Sequence, residues 1–196
     1  MTTFKNTQFN SLKDLLICMN AITTTVDKEY HQKNMVFHGL TYDNIFIDSD
    51  DCKNIQLIDN GTSAAIGVQP PRRVVNPCCA LEVYLACTTY KDDYSDTHQN
   101  SVDRINFNSD YCSIGKLFFY KLMGRLPNMT KGECWSTSSY DFQSEKCIFN
   151  VDIDNTLSMM LTKFFQKTLP RANNRYQTFI EINQALNEML DYIDNL

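Results

Sequence analysis

Phe37-His38-Gly39-Leu40-Thr41-Tyr42-Asp43-Asn44-Ile45-Phe46-Ile47 is followed, after a polar stretch, by Ile55-Gln56-Leu57-Ile58-Asp59-Asn60-Gly61-Thr62-Ser63. Two short apolar, β-branched runs flank the polar residues 48–54, and this pattern predicts a β-hairpin. Asn44 precedes the first strand and Asp59 follows the second. The hairpin therefore carries both side chains to the same end, where an amide oxygen and a carboxylate could share a magnesium ion.

The composition is that of an ordinary globular protein. The chain has 196 residues, of which 43% are hydrophobic and 21% charged, and this suits a single domain over 1–196. The net charge is −5, and no basic cluster is long enough to follow a phosphate backbone. We therefore expect no nucleic-acid partner.

Cysteine usage and hydropathy bear on the compartment. No apolar run approaches the roughly 18–20 residues that span a bilayer, so we expect no membrane association. Residues 1–6 lack the apolar stretch of a secretory signal. The eight cysteines form no C-x-x-C pair, which argues against a structural zinc site. Many thiols without an export signal indicate a reducing cytoplasm.

Hydrophobic periodicity predicts five helices, at 11–33, 80–87, 109–123, 155–167 and 177–192. Ser11 is a suitable N-cap for the first, and Gly124 is a suitable C-cap for the third. Residues 62–79 contain Gly67 and three prolines and are expected to form an irregular loop. Segments 91–106 and 128–150 are polar and are predicted to be surface insertions.

The predicted elements run in the order helix, hairpin, long loop and then helices. They do not alternate between strand and helix, which argues against a parallel α/β sheet. The expected fold is mainly α, with one small β-hairpin.

Both halves of the opening stretch resemble protein-kinase motifs. H-G-L-T-Y-D-N is similar to the catalytic loop H-R-D-L-x-x-x-N, and D-N-G is similar to the metal loop D-F-G. Four further segments are similar to kinase motifs in the kinase order. They are Ala80-Leu81-Glu82 (A-P-E), Asp110 to Gly115 (D-x-W/Y-S-x-G), Gly124 to Pro127 (T-G-x-x-P) and Leu169 to Arg175 (D-P-x-x-R).

This order resembles the C-terminal lobe of protein kinases over almost the whole chain. The sequences of the motifs are most similar to those of bacterial serine/threonine kinases. The resemblance implies that Glu82 pairs with Arg175. It also implies that Asp110 accepts backbone N–H groups from the loop around His38 and Gly39. The alternative is that Glu82, Asp110 and Arg175 are ordinary surface charges.

Several catalytic parts of a kinase have no counterpart. The first glycine is Gly39, so no Gly-rich loop precedes the catalytic segment, and no strand with the usual lysine fits before residue 33. No N-terminal lobe is therefore expected.

The catalytic base is also missing. Counting back from Asn44 by the kinase spacing places the catalytic base at Gly39. Asp43 is the one nearby substitute, but its position beside Asn44 is expected to direct it elsewhere. Asn60 replaces the D-F-G aromatic. The resemblance thus implies a degenerate catalytic loop of His38, Gly39 and Asn44, with no catalytic residue.

Asn44 and Asp59 remain candidate vestigial magnesium ligands. Without a phosphate clamp we expect at most weak binding of magnesium or ATP, and otherwise no cofactor. The alternative is that Asn44 forms a turn and that Asp59 forms an Asx turn into Gly61.

Three hypotheses follow for function. The first is an inactive kinase-like (pseudokinase) module that binds a protein: a true kinase, a separate chain that supplies the missing lobe, or a second copy of itself. The second is a fragment or half of a split serine/threonine kinase with residual ATP-dependent phosphotransfer once it is complemented. The third is a decayed or excised domain without a function of its own.

Overall fold

The computed structural model describes residues 1–48, 51–71, 75–88, 101–127, 153–169 and 174–196. Over these ranges the chain is mainly helical, with two small antiparallel sheets. Residues 101–103 are also helical, and His31–Lys33 form a 3-10 turn. The strands are β1 (Thr2–Thr3), β2 (Met35–Val36), β3 (Ile45–Ile47), β4 (Ile55–Leu57) and β5 (Ala64–Ala65). The helices are α1 (Leu12–Glu29), α2 (Leu81–Thr88), α3 (Phe107–Met123), α4 (Asn155–Gln166) and α5 (Phe179–Asp194).

Helix α1 begins at the predicted cap and ends earlier than predicted. The Ser11 side chain accepts the backbone N–H of Asp14 at 3.1 Å, which satisfies one free N–H of the first turn. Beyond Glu29 the prediction of one continuous helix is wrong. The N–H of Met35 turns back to the carbonyl of Tyr30 at 3.1 Å, and Asn34 adopts a left-handed conformation, so the chain leaves the helix to start β2. The apolar residues predicted to form one face are buried: Leu12, Leu15, Leu16, Met19, Ile22 and Val26.

The predicted hairpin is confirmed, with Ile45 opposite Leu57 and Ile47 opposite Ile55. The sequence did not predict its third strand, β1, which pairs Thr2 with Ile47. The segment 62–79, predicted to be irregular, contributes β5, which pairs with β2 in a second sheet. Within the described residues the larger sheet has three strands, in the order β1-β3-β4.

Helix α3 forms the centre of the domain. Thirteen of its seventeen residues are buried, which is typical of a helix surrounded by other elements. A side chain at Gly115 would meet the Thr168 hydroxyl oxygen at 2.4 Å, so only glycine lets the end of α4 pack this closely. Helix α3 begins two residues before the predicted start, capped by Asn106, and ends at the predicted Gly124, which has a φ of 70°.

The other helices pack around α3. Helix α1 contacts both α3 and α5, and α5 contacts α4. Between α1 and α5 the amides of Asn20, Asn183 and Asn187 form a closed ring of hydrogen bonds 2.6–3.0 Å long. Thr178 and Glu181 cap α5 reciprocally. The predicted helices at 80–87, 155–167 and 177–192 are therefore present, with ends displaced by one or two residues.

One of the two predicted insertions needs correction where the structure describes it. Residues 91–100 and the whole of 128–150 lie outside the described residues. In 101–106, however, Val102 is 5% exposed and Ile105 is fully buried. Their three-residue spacing lets both pack with Ala80 and Val83 in a small second core, so this end of the segment is interior.

None of the helices in the described ranges has both the length and the apolar character needed to cross a lipid bilayer.

Candidate functional site

The loop 37–44 is attached to α3 by the carboxylate of Asp110. This carboxylate is fully buried and accepts the backbone N–H groups of Phe37 at 2.7 Å and His38 at 3.0 Å. His31 Nε2 lies 3.0 Å from the same carboxylate. The resemblance implied donors around His38 and Gly39; the N–H of Gly39 instead donates to the carbonyl of Phe37 at 2.7 Å. Asp110 thus sets the course of the loop as it leaves β2.

Glu82 and Arg175 form the ion pair that the resemblance implied. Two N–O contacts of 2.5 and 3.2 Å join the guanidinium to the carboxylate, and both residues are buried. The hydroxyl of Ser109 donates to Glu82 at 2.7 Å. Burial raises the pKa of Glu82, whereas the charge and hydrogen bonds of Arg175 lower it. The lowering effect is the larger one, so the pKa lies below its usual value. These residues are therefore not surface charges.

Asn44 is occupied within its own loop. Its amide nitrogen donates to the carbonyl of Gly39. Its amide oxygen accepts the backbone N–H of Thr41 at 2.9 Å and the hydroxyl of Thr41 at 3.0 Å. The amide thus forms a turn, the alternative to metal binding considered above.

Gly39, the residue that the resemblance aligns with a catalytic base, is packed against Thr62. A Cβ atom at Gly39 would lie 2.3 Å from the Thr62 hydroxyl oxygen and 3.2 Å from its Cβ. Atoms of folded proteins do not approach this closely, so the loop requires glycine here. A carboxylate at this position would have no room unless the loop moved.

Asp59 also makes short-range contacts. One carboxylate oxygen accepts the backbone N–H of Thr62 at 2.7 Å and its hydroxyl at 3.1 Å, and the other accepts the hydroxyl of Ser63. Partial burial raises the pKa of Asp59, but the hydrogen bonds from Ser63 and Thr62 together lower it below its usual value. A turn of the Asx type is therefore formed at Asp59, and the N–H of Thr62 is one of its donors.

The hairpin brings Asn44 and Asp59 to one end, as predicted. The N–H of Ile58, the residue before Asp59, donates to the carbonyl of Asn44 at 3.0 Å, so Asn44 and Asp59 lie at the same end of the hairpin. Both side chains already accept hydrogen bonds. Within the described residues no group of three or more His, Cys, Asp or Glu side chains could hold a metal ion.

Asp43 is exposed and directed toward the N-terminal segment. Its carboxylate lies 3.6 Å from the ammonium of Lys5. The expectation that it would point away from the base position agrees with this contact.

The environment of the His38 ring is a feature that the sequence did not reveal. It has a φ of 59° and is 2% exposed, and neither ring nitrogen has a hydrogen-bond partner in the described part of the chain. Burial lowers its pKa, and the nearby Asp110, Glu82 and Asp59 carboxylates only partly oppose this. The His38 imidazole is therefore buried and uncharged at neutral pH.

No model of a known protein family matches this chain, and no curated protein sequence matches it.

Proposed function

We propose that this chain is a catalytically inactive, kinase-like C-terminal lobe that acts as a protein-binding or regulatory module. The observation that carries the proposal is the contact between Gly39 and Thr62. At the position where the resemblance requires a base, the chain has a glycine that a neighbouring side chain covers. This position offers no carboxylate to accept a proton, which supports the inactive assignment.

Two sets of long-range contacts support the kinase-like part of the proposal. Asp110 accepts N–H groups from the loop 37–38, and Glu82 pairs with Arg175. The resemblance implied the pairing of Glu82 with Arg175 and a contact of Asp110 with the backbone around His38. Buried charges need such partners, because leaving one unpaired costs several kcal/mol.

The arrangement of Asn44 and Asp59 argues against strong metal or nucleotide binding. Mg²⁺ keeps most of its waters and depends on substrate phosphates. The side-chain oxygens of Asn44 and Asp59 already accept hydrogen bonds in turns, so they should hold Mg²⁺ only weakly. We propose no resident cofactor and at most weak binding of magnesium with ATP.

The binding surface that we propose is the apolar part of 58–84, the segment that follows the hairpin. Isolated exposed apolar residues are common, but several within one stretch of chain are more typical of an interaction surface. The partner would be a protein: a kinase, a chain that supplies an N-terminal lobe, or a second copy. The exposed side chains are Ile58, Ile66, Val68, Val75 and Tyr84, which are 37–50% exposed.

The thiols fit a cytoplasmic setting for this module. Cys18, Cys78 and Cys112 are buried and form no disulfide. Burial raises the pKa of Cys78 to about 12, so the thiol is protonated and unreactive at neutral pH.

Nucleotide titration tests the inactive assignment. The full chain is melted with increasing ATP, with and without Mg²⁺, and we expect no change in melting temperature. A ligand at 100 times its Kd would stabilise the fold by about 2.7 kcal/mol, which such a measurement detects. Magnesium-dependent stabilisation that Asp59→Ala abolishes would instead favour the split-kinase alternative.

Matched surface variants test the binding assignment. Val68→Asp and Tyr84→Asp change the proposed surface, whereas Met159→Asp changes α4 at a residue that is 71% exposed. We expect a protein that cross-links to the wild-type chain to be lost with the first two variants and retained with the third. Equal loss, or equal retention, in all three variants would contradict this surface.

A further inference from the structure

A pocket of about 240 Å³ lies between helices α4 and α5. It shares no residue with the loops 37–44 and 58–63 of the candidate site. Pockets for drug-sized molecules have about 300–1,000 Å³, so the occupant of this one is smaller. The residues that line it include Met160, Lys163, Tyr176, Glu181, Ala185 and Glu188.

Tyr176 brings a buried phenol without a hydrogen-bond partner to this pocket. The residue is 9% exposed, and its ring packs against Phe164 with 6.0 Å between the ring centroids. Its hydroxyl forms no hydrogen bond with any residue that the structure describes. Buried tyrosine hydroxyls usually have a partner, so this one is available to a ligand.

The phenol lies close to two carboxylates of the same pocket. Burial raises the pKa of Tyr176 to about 12, and the negative charges of Glu188 and Glu181 add to this rise. The phenol is therefore uncharged at neutral pH, and its oxygen can accept a hydrogen bond.

Each of the two carboxylates also has one oxygen available. One oxygen of Glu181 accepts the backbone N–H groups of Gln177 at 2.7 Å and Thr178 at 3.1 Å. These bonds hold the pKa of Glu181 below its usual value, so the group is ionised at neutral pH. One oxygen of Glu188 accepts the side-chain N–H of Gln184 at 2.8 Å. The second oxygen of each carboxylate has no hydrogen-bond partner among the described residues.

These acceptors match the donors of a primary ammonium group. The pocket offers three oxygens, from the Tyr176 phenol and from the carboxylates of Glu181 and Glu188. A primary ammonium has three N–H donors and no acceptor. Met160 and Ala185 are partly buried against the core and give the pocket an apolar surface, which suits an aliphatic chain.

The charges at the pocket favour a cation as well. Of the described residues that line it, Lys163 alone is positively charged, against two carboxylates. Lys163 is exposed and forms no ion pair within the described ranges. Helix α5 has four acidic residues and neither lysine nor arginine. One further positive charge would neutralise the pocket.

We propose that this pocket binds a primary alkylammonium group on a short aliphatic chain. The ammonium donates to Tyr176, Glu181 and Glu188, and the chain lies against Met160 and Ala185. A free aliphatic amine and the lysine side chain of a polypeptide present the same chemistry. The proposal does not depend on the kinase-like assignment, because the two sites have no residue in common.

Titration of the full chain at pH 7 with n-pentylamine, or with the peptide acetyl-Ala-Lys-Ala-amide, tests the proposal. Backbone amide NMR signals report binding, and n-pentanol is the uncharged control. We expect saturable shifts at residues 176–188 with a Kd of about 1 mM, a value suited to so small a ligand. Tighter binding of the peptide would identify a lysine side chain as the natural ligand, and tighter binding of pentylamine a free amine. Shifts no larger than those caused by pentanol or by added NaCl would overturn the proposal.

Matched variants locate the bound cation. Tyr176→Phe removes only the hydroxyl and Glu188→Gln only a charge, and we expect each to weaken binding about tenfold. Asp191→Asn removes the same charge from an exposed position of α5 outside the pocket and should weaken binding no more than about twofold. Lys163→Gln removes a like charge and should strengthen binding. Equal weakening by Glu188→Gln and Asp191→Asn, or weaker binding by Lys163→Gln, would overturn the proposal. These three substitutions lie at exposed positions, so the comparison does not depend on the packing of Tyr176.

Discussion

Asp110 and Asp59 both accept backbone N–H groups, but they do different work in this molecule. Asp110 is fully buried, and its donors lie 72 and 73 residues away in the chain. Asp59 is exposed, and its donors lie three and four residues away. The first carboxylate joins separate elements of the fold, whereas the second shapes one turn. A carboxylate in a kinase-like motif is thus informative about the fold only where distant groups depend on it.

Arg175 and Asn44 differ in the same way. Arg175 reaches Glu82 across 93 residues in a buried environment. The Asn44 side chain forms its hydrogen bonds with residues three and five positions away. The free energy of unfolding should depend strongly on the buried contacts. Substitutions that remove the loop contacts should lower it only slightly.

Removal of Arg175 should have the largest effect. Arg175→Leu leaves the buried Glu82 carboxylate without its counter-charge, and we expect a loss of about 3–5 kcal/mol in the free energy of unfolding. Urea denaturation measures it. The matched control is Lys13→Leu, because Lys13 and Asp194 make an exposed contact of the same 2.5 Å length. There we expect a loss below about 1 kcal/mol. Similar losses for both variants would show that burial does not decide the value of these pairs.

A single substitution made at both aspartates tests the comparison directly. Asp110→Asn removes the charge that holds two backbone N–H groups and His31, and we expect a loss of about 2–3 kcal/mol. Asp59→Asn leaves an oxygen for Thr62 in an exposed turn, and we expect a loss below about 1 kcal/mol. Equilibrium unfolding of the two variants gives both values. A larger loss at Asp59 would reverse the assignment of roles.

The fold should lose stability when Gly39 is given a side chain. Gly39→Ala forces a methyl group against Thr62, and overpacking of this kind typically costs about 1–3 kcal/mol. In a Thr62→Ala background the cost should fall, and a double-mutant cycle measures the difference. Gly67→Ala is the control, because its cost of about 1 kcal/mol should come from its positive φ, with no neighbour in contact. Absence of coupling between 39 and 62 would show that space is not the constraint.

The smallest expected effect is the pH dependence that His38 confers. Burial lowers its pKa in the folded state, so the unfolded chain binds more protons as the pH falls below about 6.5. Stability should therefore decrease below that pH, reaching its limit once the folded-state imidazole is also protonated. The carboxylates of Glu82 and Asp59, with lowered pKa values, should add their losses only at more acidic pH. Urea midpoints between pH 8 and 5 give the slope, which His38→Asn should remove. An equal slope in this variant would assign it to another group.

Much of the fold could be predicted because it depends on local pattern. The face of α1, its Ser11 cap, the Gly124 C-cap and the hairpin each follow from residues a few positions apart. The missed strands β1, β2 and β5 are two residues long, too short to show any alternation. The burial of Ile105 was missed because the polar composition of its segment concealed two apolar residues with helical spacing.

The candidate site was only partly predictable. The partners of Glu82 and Asp110 came from the resemblance, because nothing in local pattern joins residues more than 70 positions apart. The unpaired ring nitrogens of His38 had no sequence signal.

Periodicity, capping and residue identity are properties of short segments, and from them most of the helices, the hairpin and the glycine at position 39 could be predicted. The cover of Gly39 by Thr62 and the use of Asn44 and Asp59 in turns follow from the packing of the folded chain. Such contacts arise when distant segments pack at van der Waals distance, and no local rule specifies which atoms then meet.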